Sequence, residues 1–276
     1  MKTAFIEPHA SLKPFVARYL VVEDHASHFA YKPVKTCPEP LAVLSRNFGR
    51  GSIGEDGQAH PRAALLGLQT EVRTWLPQEE TAFVAIFLKV PGLISLFPHL
   101  GSVTANRLVP LDEVWSPRDV RRFLSCIPSN CDVHKTKDAL DHFLASWLEE
   151  VHQVHSQRSQ LLYESLVRNR NALQAAIETG ISTRTLQRFF SQNAGISARD
   201  LLNIHRIQSS VLEIQEESEN KHAGYRFFSD QAHRGRSWQR FLKTTPVHYR
   251  KHGMSELATR LVGEPSEATD RPVFWL

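Results

Sequence analysis

The sequence has few cysteines and no long apolar run. Its 276 residues include only Cys37, Cys126 and Cys131, and no two of them form a C-x-x-C pair. This disfavours both a disulfide framework and a zinc knuckle, so we expect a reducing, cytoplasmic environment. No apolar stretch approaches the roughly 18 residues that a membrane-spanning helix needs, and none follows the first lysine. We therefore predict neither membrane association nor a secretory signal.

Motifs for catalysis and phosphate binding are also missing. The sequence contains no G-x-S-x-G nucleophile elbow and no G-x-x-x-x-G-K-[ST] loop. Some of the fourteen histidines lie near acidic residues, and a metal could be considered at Glu23, Asp24, His25, His28 and His60. The two-histidine spacing of metal-binding β barrels is absent, so we interpret these as surface side chains. We predict no catalytic residue, no metal and no cofactor.

Positive charge is unevenly distributed along the chain. Residues 1–157 carry 16 Lys and Arg against 17 Asp and Glu, whereas residues 158–253 carry 15 against 8. A near-neutral N-terminal half followed by a basic block indicates that the N-terminal half senses a signal and that the basic block binds a polyanion. From charge alone, it stays open whether these basic helices are simply well solvated.

Hydrophobic patterning divides the chain into a β-rich and a helical part. Residues 15–22, 41–48, 63–68 and 81–90 form short β-branched and aromatic runs separated by turn residues, which predicts a small barrel or sandwich. Residues 119–126 and 137–154 have apolar side chains three and four apart, which predicts amphipathic helices. We predict an α+β chain with a β domain at 1–110, connecting helices at 111–157, an all-α domain at 158–253 and a tail at 254–276.

Two segments stay open to more than one interpretation. The apolar stripe of residues 137–154 could pair two protomers as a homodimer or pack within one chain. The tail ends in the apolar string RPVFWL, which we expect to dock on the protein's own surface rather than on a partner.

Residues 172–192 have the pattern of a helix-turn-helix unit. Leu173, Ala176 and Ile177 are expected on one face of a first helix that ends at Gly180, a residue suited to a left-handed turn. Ser182 is a good N-cap for a second helix. In that helix Leu186 and Phe190 are predicted to face the core, while the outward side chains are Arg184, Gln187 and Arg188. Arg and Gln are suited to hydrogen bonding with base edges in the major groove.

These residues resemble the DNA-binding region of the AraC/XylS-type transcription regulators. The string GISTRTLQRFFSQNAGISARDLLNIHRIQ is similar to the first unit of that family, and SDQAHRGRSWQRFLKTTPVHYRK is similar to the second. Together they span about a hundred residues in the family's order. A capping box at Ser197 and Asp200 predicts a connecting helix over residues 198–215. The resemblance implies a double helix-turn-helix domain behind a cupin-like β domain.

The resemblance also implies which residues contact DNA. They would be Thr183, Arg184, Gln187 and Arg188 in the first unit, and Gln231, Arg234 and Arg236 in the second. The second unit departs from the family pattern, because Phe227 replaces the turn glycine, Arg234 an apolar residue and Lys243 a later glycine. We therefore expect the first unit to provide most of the base readout and the second to make more phosphate contacts; the second unit could even be partly degenerate and barely contact bases.

The partners that the resemblance implies are double-stranded DNA, RNA polymerase and a small-molecule effector in the β domain. Candidate effector contacts are Phe15, Tyr19, Trp75 and Phe87, although plain core packing would explain the same residues. Two other hypotheses stay open. The chain could be a small-molecule-binding enzyme whose C-terminal helices mediate oligomerisation, or a regulator controlled by a partner protein without any effector.

Overall fold

Two antiparallel sheets form the N-terminal part of the protein. The computed structural model describes residues 2–28, 30–128, 132–150, 153–216, 228, 230–252 and 274–275. The strands are β1 (Lys2–Ile6), β2 (Val16–Asp24), β3 (Val34–Thr36), β4 (Leu41–Asn47), β5 (Ile53–Gly54), β6 (Ala63–Leu66), β7 (Arg73–Leu76), β8 (Thr81–Lys89), β9 (Leu108–Pro110) and β10 (Phe274–Trp275). The large sheet has the order β1-β2-β8-β4-β6-β9, and the small sheet has the order β10-β3-β7-β5.

Both faces of the large sheet are buried. On β2, Tyr19 and Val21 pack towards the helices, whereas Leu20 and Val22 belong to a separate apolar cluster facing the small sheet. Strands β4 and β8 divide their side chains in the same way. Since successive residues of a strand point to opposite faces, burial of both faces requires a continuous apolar run. This explains why the string TAFVAIFLKV of β8 shows no polar alternation.

Within the described ranges, ten α-helices follow or flank the strands. They are α1 (Val90–Leu96), α2 (Gly101–Thr104), α3 (Pro117–Cys126), α4 (Val133–Glu150), α5 (Gln153–Asn169), α6 (Ala172–Glu178), α7 (Thr183–Asn193), α8 (Ala198–Glu216), α9 (Gln231–Leu242) and α10 (Pro246–His252). Helix α1 begins directly after β8, with Pro91 in its first turn, where a missing N–H costs nothing. All seven of its residues are buried.

Aromatic side chains pack the connecting helices against the end of α1. Trp115 stacks on Phe97 at 5.0 Å and on Trp147 of α4 at 4.5 Å between ring centroids. On α4, Leu140, Phe143 and Leu144 are buried within the chain. These three residues of the apolar stripe therefore form intramolecular core, as one of the two interpretations above expected.

The helical region and the sheets share one apolar core. The cluster that contains Tyr19 and Ile86 continues through α1 to Leu186 and Phe190 of α7 and on to Trp238 of α9. The predicted α+β class, with a β-rich front and an all-α C-terminal region, is confirmed. Strand β10 pairs with β3, so the tail docks on the protein's own surface, as predicted. Within the described ranges, no helix is both long and apolar enough to span a membrane.

Candidate nucleic-acid interface and effector cavity

Helices α6 and α7 form a helix-turn-helix unit with a glycine at the turn. Gly180 has a φ of +68°, and the N–H of Ile181 donates to the carbonyl of Ala176 at 3.0 Å, which closes the end of α6. Ser182 caps α7, since its hydroxyl accepts from the N–H of Thr185 at 3.0 Å. The turn and the N-cap predicted from the sequence are both confirmed.

Helix α7 has one buried face and one accessible face. Leu186 and Phe190, four residues apart, are fully buried. The predicted DNA contacts lie on other faces: Arg184 and Arg188 are exposed, and Thr183 and Gln187 are half-buried. The apolar side fixes the pose of the helix, and the forked donors of the arginines stay available to a ligand.

The buried face of α6 is formed by alanines. Leu173 is 55% exposed and Ile177 is 64% exposed, while Ala175 and Ala176 are buried. The two alanines allow α6 to lie close to α5, where Ser165 donates to the carboxylate of Glu178 at 2.9 Å. Small residues permit close helix packing that larger side chains would prevent. Of the three residues predicted to share a face of α6, Ala176 is buried, whereas Leu173 and Ile177 are exposed.

Helix α9 supports the second unit through buried aromatic side chains. Asp230 caps the helix by accepting from the N–H of His233 at 2.7 Å, and Trp238 and Phe241 are buried. Gln231 and Arg236 are exposed, as a DNA contact requires. Phe227, which replaces the family's turn glycine, lies outside the described residues.

Arg234 does not lie on the accessible face of α9. Its side chain is 5% exposed, and its Nε donates to the hydroxyl of Ser210 on α8 at 3.0 Å. The guanidinium carbon lies 5.9 Å from the ring centroid of Trp238. The side chain thus occupies the apolar position of the family pattern and connects α9 to α8. In this arrangement it cannot contact DNA, which corrects the prediction.

Gln239 is a candidate DNA contact that the sequence analysis missed. It is exposed and lies three residues after Arg236 and four after Gly235, so the three share a face of α9. Extending the helical spacing beyond the family's motif would have found it. Arg240 is also exposed, but its guanidinium pairs with Asp200 of α8 at 3.0 Å.

Helix α8 separates the two units. It has 19 residues, which corresponds to about 28 Å at 1.5 Å per residue. Ser197 and Asp200 form the predicted capping box, in which the serine hydroxyl accepts from the N–H of Asp200 at 3.0 Å. Ile204, Ile207 and Val211 are buried along one side. The helix is therefore held by packing and not only by its own propensity.

The N-terminal half contacts both units directly. Gly101 of α2 touches the turn after α7 so closely that a Cβ added there would lie 2.4 Å from the backbone nitrogen of Gly195. On the second unit, the ammonium of Lys243 lies 4.0 Å from the carboxylate of Glu71. Helix α1 also packs against α5. A movement of α1 or α2 would therefore reach the helix-turn-helix units by direct contact.

A cavity of about 190 Å³ lies between the two sheets. Of the four aromatic residues proposed to contact an effector, Trp75 and Phe87 line this cavity. Tyr19 lies on the other face of the large sheet, where its hydroxyl donates to Asp141 of α4 at 2.7 Å. Phe15 packs against the core on the helical side. The structure thus brings together two of the four residues.

Ser45, Asn47 and His60 form a polar cluster on the cavity wall, and the sequence analysis did not connect them. The hydroxyl of Ser45 lies 3.3 Å from Nε2 of His60, and Nδ2 of Asn47 lies 2.7 Å from Nδ1. Burial lowers the pKa of His60, although the Pro61 carbonyl opposes this effect, so the imidazole is uncharged at neutral pH. The sequence could indicate only part of this cluster. Ser45 and Asn47 lie two residues apart on β4 and so share a face of the strand, but His60 comes from a loop.

The acidic and histidine residues considered for a metal do not converge. His25 and His28 are exposed, and His60 lies in the polar cluster. In the part of the chain that the structure describes, no three His, Cys, Asp or Glu side chains are placed to hold a metal ion.

Comparisons with known proteins give matches among solved structures. No family model matches the chain, and neither does a curated protein. The similar structures include ToxT from Vibrio cholerae O395 bound to (E)-4-(8-methylnaphthalen-1-yl)but-3-enoic acid, at 13% identity and a TM-score of 0.42, over 84% of this chain and 97% of that one. Unsaturated fatty acid-bound ToxT from strain SCE256 is similar at 11% identity and a TM-score of 0.38, over 80% and 91%. The function proposed below rests on the geometry of this chain.

Proposed function

We propose that this protein is a sequence-specific DNA-binding transcription regulator of the AraC/XylS type. The observation that carries the proposal is helix α7, which is fixed by a glycine turn, an N-cap and two buried side chains while Arg184 and Arg188 extend outward. An ordinary solvated helix face needs neither two forked donors nor a turn of this geometry. Bidentate Arg–guanine pairs are each worth about 1–3 kcal/mol of discrimination.

The two units would contact one side of the double helix. Recognition helices about 34 Å apart can enter successive major grooves, and α8 has a length suited to such a spacing. The second unit would contribute Gln231, Arg236 and Gln239, with a larger share of phosphate contacts than the first. One chain could then cover a site that single-unit proteins bind as dimers. A homodimer and a contact with RNA polymerase belong to the same proposal.

A small molecule in the cavity would regulate DNA binding by linkage. Strand β8 forms part of the cavity wall and runs directly into α1, which packs against α5, and α5 in turn packs against α6 of the first unit. An effector that binds one arrangement of these helices more tightly than another favours the first arrangement. The resulting change in DNA affinity cannot exceed the ratio of the effector's affinities for the two arrangements. The proposal includes no catalytic activity.

Selection of bound fragments from genomic DNA tests the proposal. We expect wild-type protein to enrich a defined set of sequences, with an affinity that falls steeply as salt rises because phosphate contacts release counterions. Arg188→Ala should lose that sequence preference. The matched control is Arg121→Ala on α3, which removes the same charge from an exposed helix of the N-terminal half. Identical fragment sets for wild type and Arg188→Ala would refute a readout role for α7.

A second comparison separates the two units. Arg184→Ala and Gln231→Ala are titrated with one selected operator and with a scrambled duplex of equal length. We expect Arg184→Ala to reduce the ratio of the two affinities more, because its unit presents more donors capable of base contacts. Equal losses in both variants would show that the units contribute equally to specificity.

A further inference from the structure

The cavity between the sheets has the size of a single-ring ligand. Its volume is about 190 Å³, and an engineered apolar protein cavity of roughly 150 Å³ holds benzene. The lining is apolar along most of its length. Leu20 of β2 is the cross-strand partner of Ala85 on β8, and the small side chain of Ala85 leaves space at the centre of the large sheet. Trp75 of the small sheet lines the opposite wall.

One wall of the cavity carries a hydrogen-bonding cluster. Ser45 is the cross-strand partner of Ala85, so its hydroxyl is placed at the same level as that space. Nδ1 of His60 lies near both Nδ2 of Asn47 and the carbonyl of Pro61, so either ring nitrogen can carry the proton. In the tautomer whose Nδ1 accepts from Asn47, Nε2 carries the proton and donates to Ser45. The Ser45 hydroxyl then donates to the carbonyl of Ala64 at 3.3 Å, and its remaining lone pair is available to a ligand. A rotation of this hydroxyl offers a donor instead.

The charges around the cavity disfavour an anion. Among the described residues that line it, there is no Lys or Arg, and the acidic residues Asp24 and Glu39 are present. Glu39 is already paired with Arg18 at 2.9 Å, and Asp24 takes part in other interactions within the protein. A buried carboxylate would find no Lys or Arg among these lining residues, since Arg18, which lies over the Phe87 ring, is bound to Glu39. A buried amine would have to compete with the interactions that Glu39 and Asp24 already make. Either unpaired charge would be costly in this environment.

We infer that this cavity binds an uncharged molecule of about one aromatic ring that carries a hydroxyl or carbonyl group, with Ser45 and His60 as its hydrogen-bonding partners. The ring packs between Trp75 and the apolar side chains of the large sheet. The polar group of the ligand hydrogen-bonds to the Ser45 hydroxyl. This inference rests on the proposed function, since it names the chemical class of the effector.

Four probes of nearly equal size test the ligand class: benzyl alcohol, benzoate, benzylamine and toluene. Binding to the full-length protein is measured at pH 7.5 by calorimetry, with the fluorescence of Trp75 and the other tryptophans as a second signal. We expect benzyl alcohol to bind at least 10-fold more tightly than benzoate and benzylamine, and about 5- to 10-fold more tightly than toluene, the effect of one net hydrogen bond. Benzoate or benzylamine binding as tightly as the alcohol would overturn the charge argument, and toluene binding as tightly would overturn the polar contact.

Two variants test whether the probe binds in this cavity. Ser45→Ala should weaken benzyl alcohol about 5- to 10-fold and leave toluene unchanged, while Ser95→Ala, which removes a buried hydroxyl from α1, should change neither. Ala85→Leu fills the space and should abolish binding of both probes while the protein remains folded. If Ala85→Leu is folded and binds benzyl alcohol as wild type does, the site lies elsewhere.

The same preparation is tested for DNA binding, which separates the two proposals. Salt-dependent DNA binding without any bound probe would overturn the ligand inference and leave the regulator in place. Probe binding without DNA binding would overturn the regulator and leave the cavity assignment intact.

Discussion

An alanine at position 101 should push the N-terminal half away from the first helix-turn-helix unit. Its Cβ would lie 2.4 Å from the nitrogen of Gly195 and 2.5 Å from the nitrogen of Ala194. Both atoms are backbone, so no side chain can rotate away. Ordinary contact begins at about 3.4 Å, and α2 must therefore withdraw by about 1 Å, at the cost of overpacking, about 1–3 kcal/mol.

Thermal unfolding measures this effect. For a protein of this size, 1 kcal/mol corresponds to roughly 2–4 °C, so the cost of about 1–3 kcal/mol should lower the melting temperature of Gly101→Ala by about 2–12 °C. The matched control is Gly235→Ala, at which a Cβ meets nothing within 4 Å. Since Ala is favoured over Gly within a helix, this control should stabilise the protein by up to about 1 kcal/mol.

The comparison also tests the contact as a route of regulation. If α2 transmits changes from the cavity to α7, Gly101→Ala should reduce the effect of a bound effector on DNA affinity more than Gly235→Ala does. A melting temperature for Gly101→Ala equal to that of wild type would refute the reasoning, because it would mean that the two backbones are not in contact in solution.

Four other substitutions give distinct outcomes. Lys243 has a φ of +54°, so Lys243→Gly should stabilise the protein by about 1 kcal/mol in chemical unfolding, and a loss of stability would contradict the strain argument. Arg234→Ala should lower the free energy of unfolding by about 1–3 kcal/mol, because it removes the buried contact with α8. Arg236→Ala should leave stability unchanged and weaken DNA binding in a fluorescence titration. Although burial opposes it, hydrogen bonds from Lys137, His9 and Tyr19 lower the pKa of Asp141 below 3.8. The stability that this carboxylate contributes is therefore present at neutral pH and lost as pH falls below 3.8, so the difference between wild type and Asp141→Asn in pH-dependent melting should disappear in acid.

The local signals of the fold could be predicted from the sequence. The runs that became β2, β4 and β8 were recognisable because β-branched and aromatic residues cluster between turn residues. Gly180 and Ser182 specify a turn and a cap through their own backbone and side-chain preferences, which depend little on the rest of the molecule. For the same reason, the bounds of α7 and α8 lie close to those predicted.

The side of an element that faces a site could not be predicted in the same way. Both faces of β2 are buried, so alternation does not tell whether Tyr19 or Leu20 faces the cavity. Arg234 is buried because Ser210 and Trp238 provide partners from α8 and from the next turn of α9, a tertiary arrangement that composition does not show. His60 joins Ser45 through a loop whose path is set by the two sheets.

The pairing of β10 with β3 has a consequence for the order in which the protein is assembled on the ribosome. Thr36 pairs with Phe274, so this ladder cannot close until the chain has been synthesised as far as Phe274. Until then, β3 is an open edge of the small sheet, with unsatisfied backbone donors and acceptors that can recruit other nascent chains. We expect this delay to make folding during expression more dependent on chaperones, because contacts between distant parts of a sequence form late.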